Sequence, residues 1–453
     1  MNSNKLSVLS LNCWGLNIVS KKRRFRLCAI ADAISNTDYD IVALQELWMP
    51  EDFEYLKQQT QSMLPYANLY YSGALGSGLA ILSRYPIVST SYSRYTLAGR
   101  PLKIFHGDFY VGKGYASACV DHPDIGIIEV FNTHLHAGYG DETEYEGHRL
   151  SETWELARRL RASAAQGRQV IVSGDFNSVP TSHNYQLLKL HAYMTDSWMQ
   201  ANQQQRQNNQ IDTDDMIQYE GITCNSPMNS WSKNKARMGD RLDYIFYRMT
   251  PQLQCIHSNV AMTEYIPGTQ MSYSDHFAVH STFAVHPHAT APPPQQQQSS
   301  ICHHELNHPA HTNLDCRMLE QMRDIFKRDQ EDTRKTANML LVLFVVALVL
   351  VIFIYAVLVA LPTTLQQHYD GNLVTLLVTL LGGICVILMA AFATICLIVG
   401  FVFGRTEQRA LRQFVADADT LLNAIQRRKE MLAQRHDRSP SNGNDSLLAL
   451  DTE

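Results

Sequence analysis

The sequence predicts an α/β domain followed by two membrane-spanning helices, on three observations. Short apolar runs alternate with helical patterns over residues 1–285, which marks an α/β or α+β domain rather than an all-β one. Two long uncharged runs follow, Met339–Leu361 and Leu373–Phe403, each long enough to cross a bilayer. Between block and runs, residues 286–313 turn to Pro, Gln, Ser and His, including Pro292–Pro294 and Gln295–Gln298, the composition of a disordered tether.

The strands predicted in the block, in order, are Lys5–Leu11, Asp40–Leu44, Gly78–Leu82, Ile127–Asn132, Gln169–Ser173, Leu242–Tyr247 and Phe277–Ala284. Each is a short run of branched or aromatic residues bounded by turn formers. Helical patterns fall at Arg23–Ile34, Glu51–Met63 and Thr143–Arg161. The Gln/Asn-rich stretch Gln200–Gln210 reads as a surface insertion. A block of this length buries a sizeable core as one domain.

The first uncharged run makes a helix of roughly 35 Å; the second exceeds one span, so it tilts or its ends leave the hydrocarbon. Gly400 and Gly404 form a G-x-x-x-G pair that would let helices approach closely. Arg323, Lys327, Arg328, Arg334 and Lys335 precede the first run within a basic juxtamembrane segment, 314–338, and Arg405, Arg409 and Arg412 follow the second. The connecting loop, 362–372, carries no lysine or arginine. Positive-inside asymmetry places both termini in the cytosol. The N-terminus gives no secretory signal, since Ser7, Ser10 and Asn12 break the early apolar run. Residues 404–453 read as an amphipathic helix with Leu411, Phe414, Val415, Leu421, Leu422 and Ile425, then an unstructured tail. That helix would lie on anionic lipid or pack against a partner.

Lysine and arginine total 38 against 43 acidic residues, a formal net charge of −5. That balance argues against wrapping nucleic acid through bulk electrostatics, and no nucleic-acid partner is expected; oligomeric state is open. Nine cysteines without a C-x-x-C pair read as free thiols of a reducing compartment. A zinc site from Cys302, His303, His304 and Cys316 would need four converging ligands in a stretch that reads as linker.

Polar residues stand at the strand ends. Asn12, Glu46 and His134 follow the first, second and fourth strands; Asp175 and Asn177 follow the fifth; Asp243 opens the sixth; Asp275 and His276 precede the last. Such ends gather on one rim of a sheet, where α/β active sites form. Any one of them has a bland reading as a turn former or core histidine. Together, carboxylates, amides and two histidines point to a metal-assisted phosphodiester or phosphomonoester site. Gly107–Gly114 reads G-x-x-x-x-G-K-G, but a nucleotide-binding P-loop needs Ser or Thr where Gly114 stands.

Leu11-Asn12-Cys13-Trp14, Leu44-Gln45-Glu46, Asn132-Thr133-His134-Leu135, Gly174-Asp175-Phe176-Asn177, Arg241-Leu242-Asp243-Tyr244 and Ser274-Asp275-His276 resemble the signatures of the endonuclease/exonuclease/phosphatase superfamily. Asn12-Cys13-Trp14-Gly15, Gly76-Ser77-Gly78-Leu79, His106-Gly107-Asp108 and Thr133-His134-Leu135-His136-Ala137 resemble more narrowly the Mg²⁺-dependent neutral sphingomyelinases with two C-terminal spans. The resemblance covers residues 5–285 and the paired spans. It implies a four-layered αββα sandwich and phospholipase C-type hydrolysis of sphingomyelin, or a related phosphosphingolipid, to ceramide and a phosphorylated headgroup. The same superfamily also offers a nuclease or an inositol-phosphate phosphatase.

By resemblance, Glu46 is the principal magnesium ligand with Asn12 beside it, and Asp275 is a metal-side ligand or a structural acid. His276 is the general base, which suits a group titrating near neutral pH. Asp243 would fix its tautomer. His134, Asp175 and Asn177 would contact the phosphate where charge develops, with Asp175 also assisting the leaving group. Lys113 would reach phosphate or the lipid surface. His136 shares a strand face with His134 and is left as a supporting group. The expected partners are a sphingophospholipid substrate and the lipid bilayer. The expected location is a multi-pass protein of the endoplasmic reticulum, another endomembrane or the inner leaflet of the plasma membrane.

Overall fold

The computed structural model describes residues 4–17, 19–138, 144–207, 215–233, 238–287, 311–365 and 372–438. Two six-stranded sheets carry the N-terminal block. The first comprises β1 (Lys5–Asn12), β2 (Ile41–Gln45), β3 (Tyr66–Leu69), β4 (Ala80–Ser83), β11 (Leu253–Ala261) and β12 (Ala278–Val285), in the order β11-β12-β1-β2-β4-β3. The second comprises β5 (Ile87–Arg94), β6 (Gly114–His122), β7 (Gly126–His134), β8 (Gln169–Asp175), β9 (Thr195–Asp196) and β10 (Asp243–Tyr247), in the order β5-β6-β7-β8-β10-β9. Each sheet has one parallel pair at its centre, β1 with β2 and β7 with β8; the other pairs are antiparallel.

Period-two alternation sorts the side chains into layers. In β1, Leu6 and Val8 face the second sheet, joining Ile41, Ile81, Val120, Ile128, Val130, Ile171, Ile245 and Phe283. Leu9 and Leu11 face the other way, against α1 (Arg23–Ser35) and α2 (Pro50–Thr60) through Leu27, Ile30, Phe53 and Leu56. On the far side, Phe131, Val170, Val172, Tyr244 and Phe246 pack under α4 (Glu146–Ala165) and α5 (His183–Leu190). Strands buried on both faces read as near-continuous apolar runs, which is why these were legible. The four layers, helix-sheet-sheet-helix, are those the resemblance implied. Among the described residues, the block's remaining short helices are α3 (Asp108–Val111), α6 (Ser197–Gln207), α7 (Met216–Glu220) and a 3-10 turn, Ile104–His106.

The C-terminal part is helical. A 50-residue helix, α8 (Cys316–Leu365), unites the basic segment with the first apolar run. The second run forms α9 (Asn372–Leu397), continues through a π-helical stretch, Ile398–Phe403, and enters α10 (Gly404–Arg438). Both apolar stretches are long and apolar enough to cross a membrane, and only 6% and 17% of their most apolar windows are buried. Val342, Phe353, Leu376 and Ile387 are all exposed, the reverse of core helices. The glycine pair does bring helices together. A Cβ at Gly400 would lie 3.0 Å from the Ala337 carbonyl, and one at Gly404 2.7 Å from the Ala337 Cβ.

The partner of the amphipathic helix is this chain itself. Leu411, Phe414, Ala418, Leu421 and Leu422 of α10 join Leu319, Met322, Ile325 and Phe326 of α8 in the core beneath α4. The end of the expected linker is also seated there: the backbone N–H of Asn313 donates to the Leu190 carbonyl, and Arg161 donates to that of His311. Residues 288–310, 208–214, 366–371 and 439–453, which carry most of the expected linker, part of the Gln/Asn-rich stretch, part of the connecting loop and the tail, lie outside the described residues.

Candidate active site

Strand register assembles the rim. Asn12 sits opposite Gln45, the residue before Glu46, across the β1–β2 pair. Asp175 sits opposite His134 on one side and Asp243 on the other. Asp275 and His276 arrive just before β12, and the Ser274 hydroxyl donates to the Asn12 carbonyl at 2.6 Å. The two sheets are pinned beneath this rim by the buried Gln45 amide, which donates to Asn132 Oδ1 at 2.8 Å, while Asn132 donates to the Leu44 and Ala80 carbonyls.

Asp175 is the hub. Its Oδ2 accepts from Asn12 Nδ2 at 3.0 Å and lies 3.5 Å from His134 Nε2 and 3.9 Å from His276 Nε2. Its Oδ1 accepts the backbone N–H of Asn177 at 2.9 Å. Asn12 Nδ2 also reaches Glu46 Oε1 at 3.1 Å. His276 Nδ1 pairs with Asp243 Oδ2 at 2.8 Å, both groups buried. The structure therefore joins Asn12, Glu46, His134, Asp175, Asn177, Asp243 and His276, with Asp275 adjacent through its hydrogen bond from Ser274.

Three non-glycine residues of the rim hold left-handed backbone: Trp14 (φ 48°), Glu46 (φ 56°) and Asn177 (φ 44°). Such conformations cost of order 1–3 kcal/mol and persist where the surroundings over-determine them. Here each follows a strand end and turns its neighbours into the rim.

Electrostatics divides the two histidines. Burial disfavours charge on His276, but the Cys224 thiol, Asp243 and Asp175 beside it outweigh that and hold its pKa well above the ordinary 6.5. Burial, then Lys113 and His276, hold His134 well below 6.5, so it is neutral. Burial and Asp275 lift Glu46 to about 7; burial and Asp243 lift Asp175 to about 6. Burial thus opposes ionisation of Glu46 and Asp175, and a divalent cation would favour their charged forms. Carboxylate and amide oxygens are donors suited to a hard cation such as Mg²⁺. Asp175, Asp243 and His276 also come close enough to hold a metal, yet the His276–Asp243 hydrogen bond already occupies Nδ1.

Lys113 and His136 sit just behind the rim. The Lys113 ammonium is buried between Asp108 Oδ1 (2.8 Å) and the Leu135 carbonyl (2.6 Å), and that carbonyl also accepts from Asn177 Nδ2 at 3.1 Å. His136 stacks on Tyr145 with centroids 3.9 Å apart and lies 3.4 Å from Asp108 Oδ2.

Two contributors were missed in the sequence. Arg26 is fully buried and donates to the Lys21, Cys13, Trp14 and Tyr273 carbonyls, tying together the loops that carry Asn12 and Asp275. A basic residue on a helix reads as solvated, so no signal marked it. Cys224 Sγ lies 3.4 Å from His276 Nε2, brought there by the bridge between Cys224 and His276 and by Thr223, whose hydroxyl accepts the N–H groups of Leu242 and Asp243. Neither residue lies at the end of a recognisable strand.

Residues 9–276 match the Endonuclease/Exonuclease/phosphatase family, and the chain belongs to it. Among curated relatives, "Inositol phosphosphingolipids phospholipase C" of Schizosaccharomyces pombe is 38% identical over 292 residues, covering 62% of this chain and 69% of that one. "Sphingomyelin phosphodiesterase 2" of Rattus norvegicus is 31% identical over 287 residues, covering 62% and 65%. Among solved structures, truncated TDP2 of Caenorhabditis elegans aligns with a TM-score of 0.46 at 19% identity, covering 62% of this chain and 98% of that one.

Proposed function

We propose that this chain is a membrane-anchored, Mg²⁺-dependent phosphodiesterase of phospholipase C type that cleaves a sphingophospholipid into ceramide and a phosphorylated headgroup. The observation that carries the reaction is the His276–Asp243 pair, with the opposite imidazole nitrogen turned toward Asp175. The relatives named for inositol phosphosphingolipids and for sphingomyelin support the substrate class.

Glu46, with Asn12 and Asp275 beside it, would hold magnesium. The ion, when bound, polarises the phosphate and offsets its charge. With the carboxylate charge that holds the His276 proton offset by a bound cation, Nε2 is free to take a proton from the attacking water while Asp243 fixes the tautomer and stabilises the imidazolium. Neutral His134 and the Asn177 amide donate to phosphate oxygens as charge builds at phosphorus. The bond from phosphorus to the ceramide oxygen breaks, and Asp175, whose raised pKa lets it hold a proton near neutrality, protonates that oxygen. Lys113 acts from behind, orienting the Leu135 carbonyl that positions Asn177. The two apolar helices keep the site within reach of an insoluble substrate and raise its effective concentration.

The test presents detergent-dispersed choline-, ethanolamine- and inositol-phosphate sphingolipids, beside an oligonucleotide and an inositol phosphate, to the full-length protein with magnesium or EDTA. Magnesium-dependent headgroup release from at least one lipid is expected. Turnover of the nucleotide or the inositol phosphate alone would overturn the substrate assignment.

A further inference from the structure

The anchor and the site meet at a pair of loops that the mechanism does not use. The segment between β3 and β4 exposes Tyr71 (75%) and Leu75 (54%), and the segment between β5 and β6 exposes Leu102 (47%) and Ile104 (61%). Both loops leave the end of the sandwich that carries the active rim, because Leu69 pairs with Ala80 and Arg94 with Gly114 there. They are tied to each other: the N–H groups of Ala74 and Leu75 donate to the Tyr110 carbonyl, the Tyr110 hydroxyl donates to the Pro101 carbonyl, and Ser72 donates to the Gly112 carbonyl.

The same pair touches both ends of the route a lipid would travel. On one side, the ring of Phe109 meets that of Phe403, the last residue of the π-helical stretch, at 5.4 Å, and Arg100 pairs with Glu407 at 3.2 Å. Pro101, Phe109, Phe403 and Thr406 line one cavity of about 330 Å³. On the other side, the 71–78 loop lines a cavity of about 280 Å³ with Leu47 and Trp48, directly after Glu46. Four large apolar side chains exposed on loops tied to the end of an apolar helix are costly in water and favourable in the headgroup–acyl boundary.

We propose that loops 71–76 and 100–105 form a lip that rests in the bilayer interface, so that the substrate enters the cavity at Leu47 and Trp48, next to Glu46, from the membrane without crossing water. The occupant is the lipid surface, because the segment that exposes Leu102 and Ile104 is tied to the helix end through Phe109 with Phe403 and Arg100 with Glu407. This inference rests on the membrane-anchored reading above.

The experiment places an environment-sensitive fluorescent amino acid, one position at a time, in the full-length protein reconstituted into phosphatidylcholine vesicles with brominated acyl chains. The positions are Ile104 in the lip, Leu350 in the first apolar run and Ile256, which lies at the opposite end of the sandwich in the β11–β12 register. Ile104 and Leu350 fluorescence should each fall by about half relative to unbrominated vesicles, with Ile256 unchanged, for an insertion of roughly 5–10 Å. Quenching at Leu350 with Ile104 as bright as Ile256 would overturn the lip and leave the anchor standing. No quenching at Leu350 would overturn the anchor and the lip with it. The readout needs no catalysis, so neither result depends on the substrate assignment.

Discussion

At the scale of residues, the Asp243 carboxylate decides what His276 can do. With Nδ1 held by Asp243, Nε2 faces Asp175 Oδ2 at 3.9 Å and is the nitrogen that would meet the reacting water in the proposed mechanism; an amide in place of Asp243 would favour the wrong tautomer. Asp243→Asn is expected to lower kcat by about 10³–10⁴-fold with KM changed little, measured by steady-state headgroup release. Glu152 gives a second prediction, on stability. Its carboxyl is fully buried, accepts the His136 N–H at 2.8 Å, and is lifted by burial to about 8. The folded protein keeps this proton while the unfolded chain releases it near 4.5, so the unfolded state binds fewer protons between those values. Stability from this group is therefore full below pH 4.5 and is lost as pH rises through about 8. Glu152→Gln keeps an acceptor for His136 and should flatten the fall of thermal midpoint between pH 5 and 8. An unchanged slope would show that Glu152 is ionised in the fold.

At the scale of elements, legibility followed burial. Strands packed on both faces, such as β8 with Val170, Ile171 and Val172, announced themselves as apolar runs. The polar edge strand β5, whose Val88, Ser89, Thr90 and Ser91 are exposed, gave no such run, and the small residues of β6 gave a weak one. The six site-bearing strand ends were readable because side-chain type changes abruptly there. Arg26 and Cys224 were not, because their roles come from contacts across about 250 and about 50 residues of sequence that no local pattern encodes. The apolar stripe of α10 was readable too, but a stripe does not name its partner, and the partner proved to be α8 and α4. Phe414 is buried and stacks on Phe326 with centroids 5.4 Å apart. Phe414→Ala should cost about 3–5 kcal/mol, seen as a lower denaturation midpoint of the full-length protein in detergent; a loss below about 1 kcal/mol would mean this face is not packed in solution.

At the scale of the whole molecule, one chain couples the candidate catalytic rim to two apolar helices through a shared core. Ion pairs reinforce that junction: Arg100 with Glu407, Arg158 with Asp417 and Arg328 with Glu146. Most are partly exposed and individually worth little, so the apolar contacts of α8 and α10 carry the docking. The N-terminal block is thereby fixed relative to the helices, as the proposed cleavage of a membrane lipid requires.

The most direct test of the central claim is the initial rate of headgroup release from detergent-dispersed sphingolipid in magnesium, comparing the full-length protein with His276→Ala of matched thermal midpoint. Loss of the base is expected to reduce the rate by about 10²–10⁴-fold. A His276→Ala protein that retains the rate within about twofold would show that the base lies elsewhere, and the account of this site would fall with it.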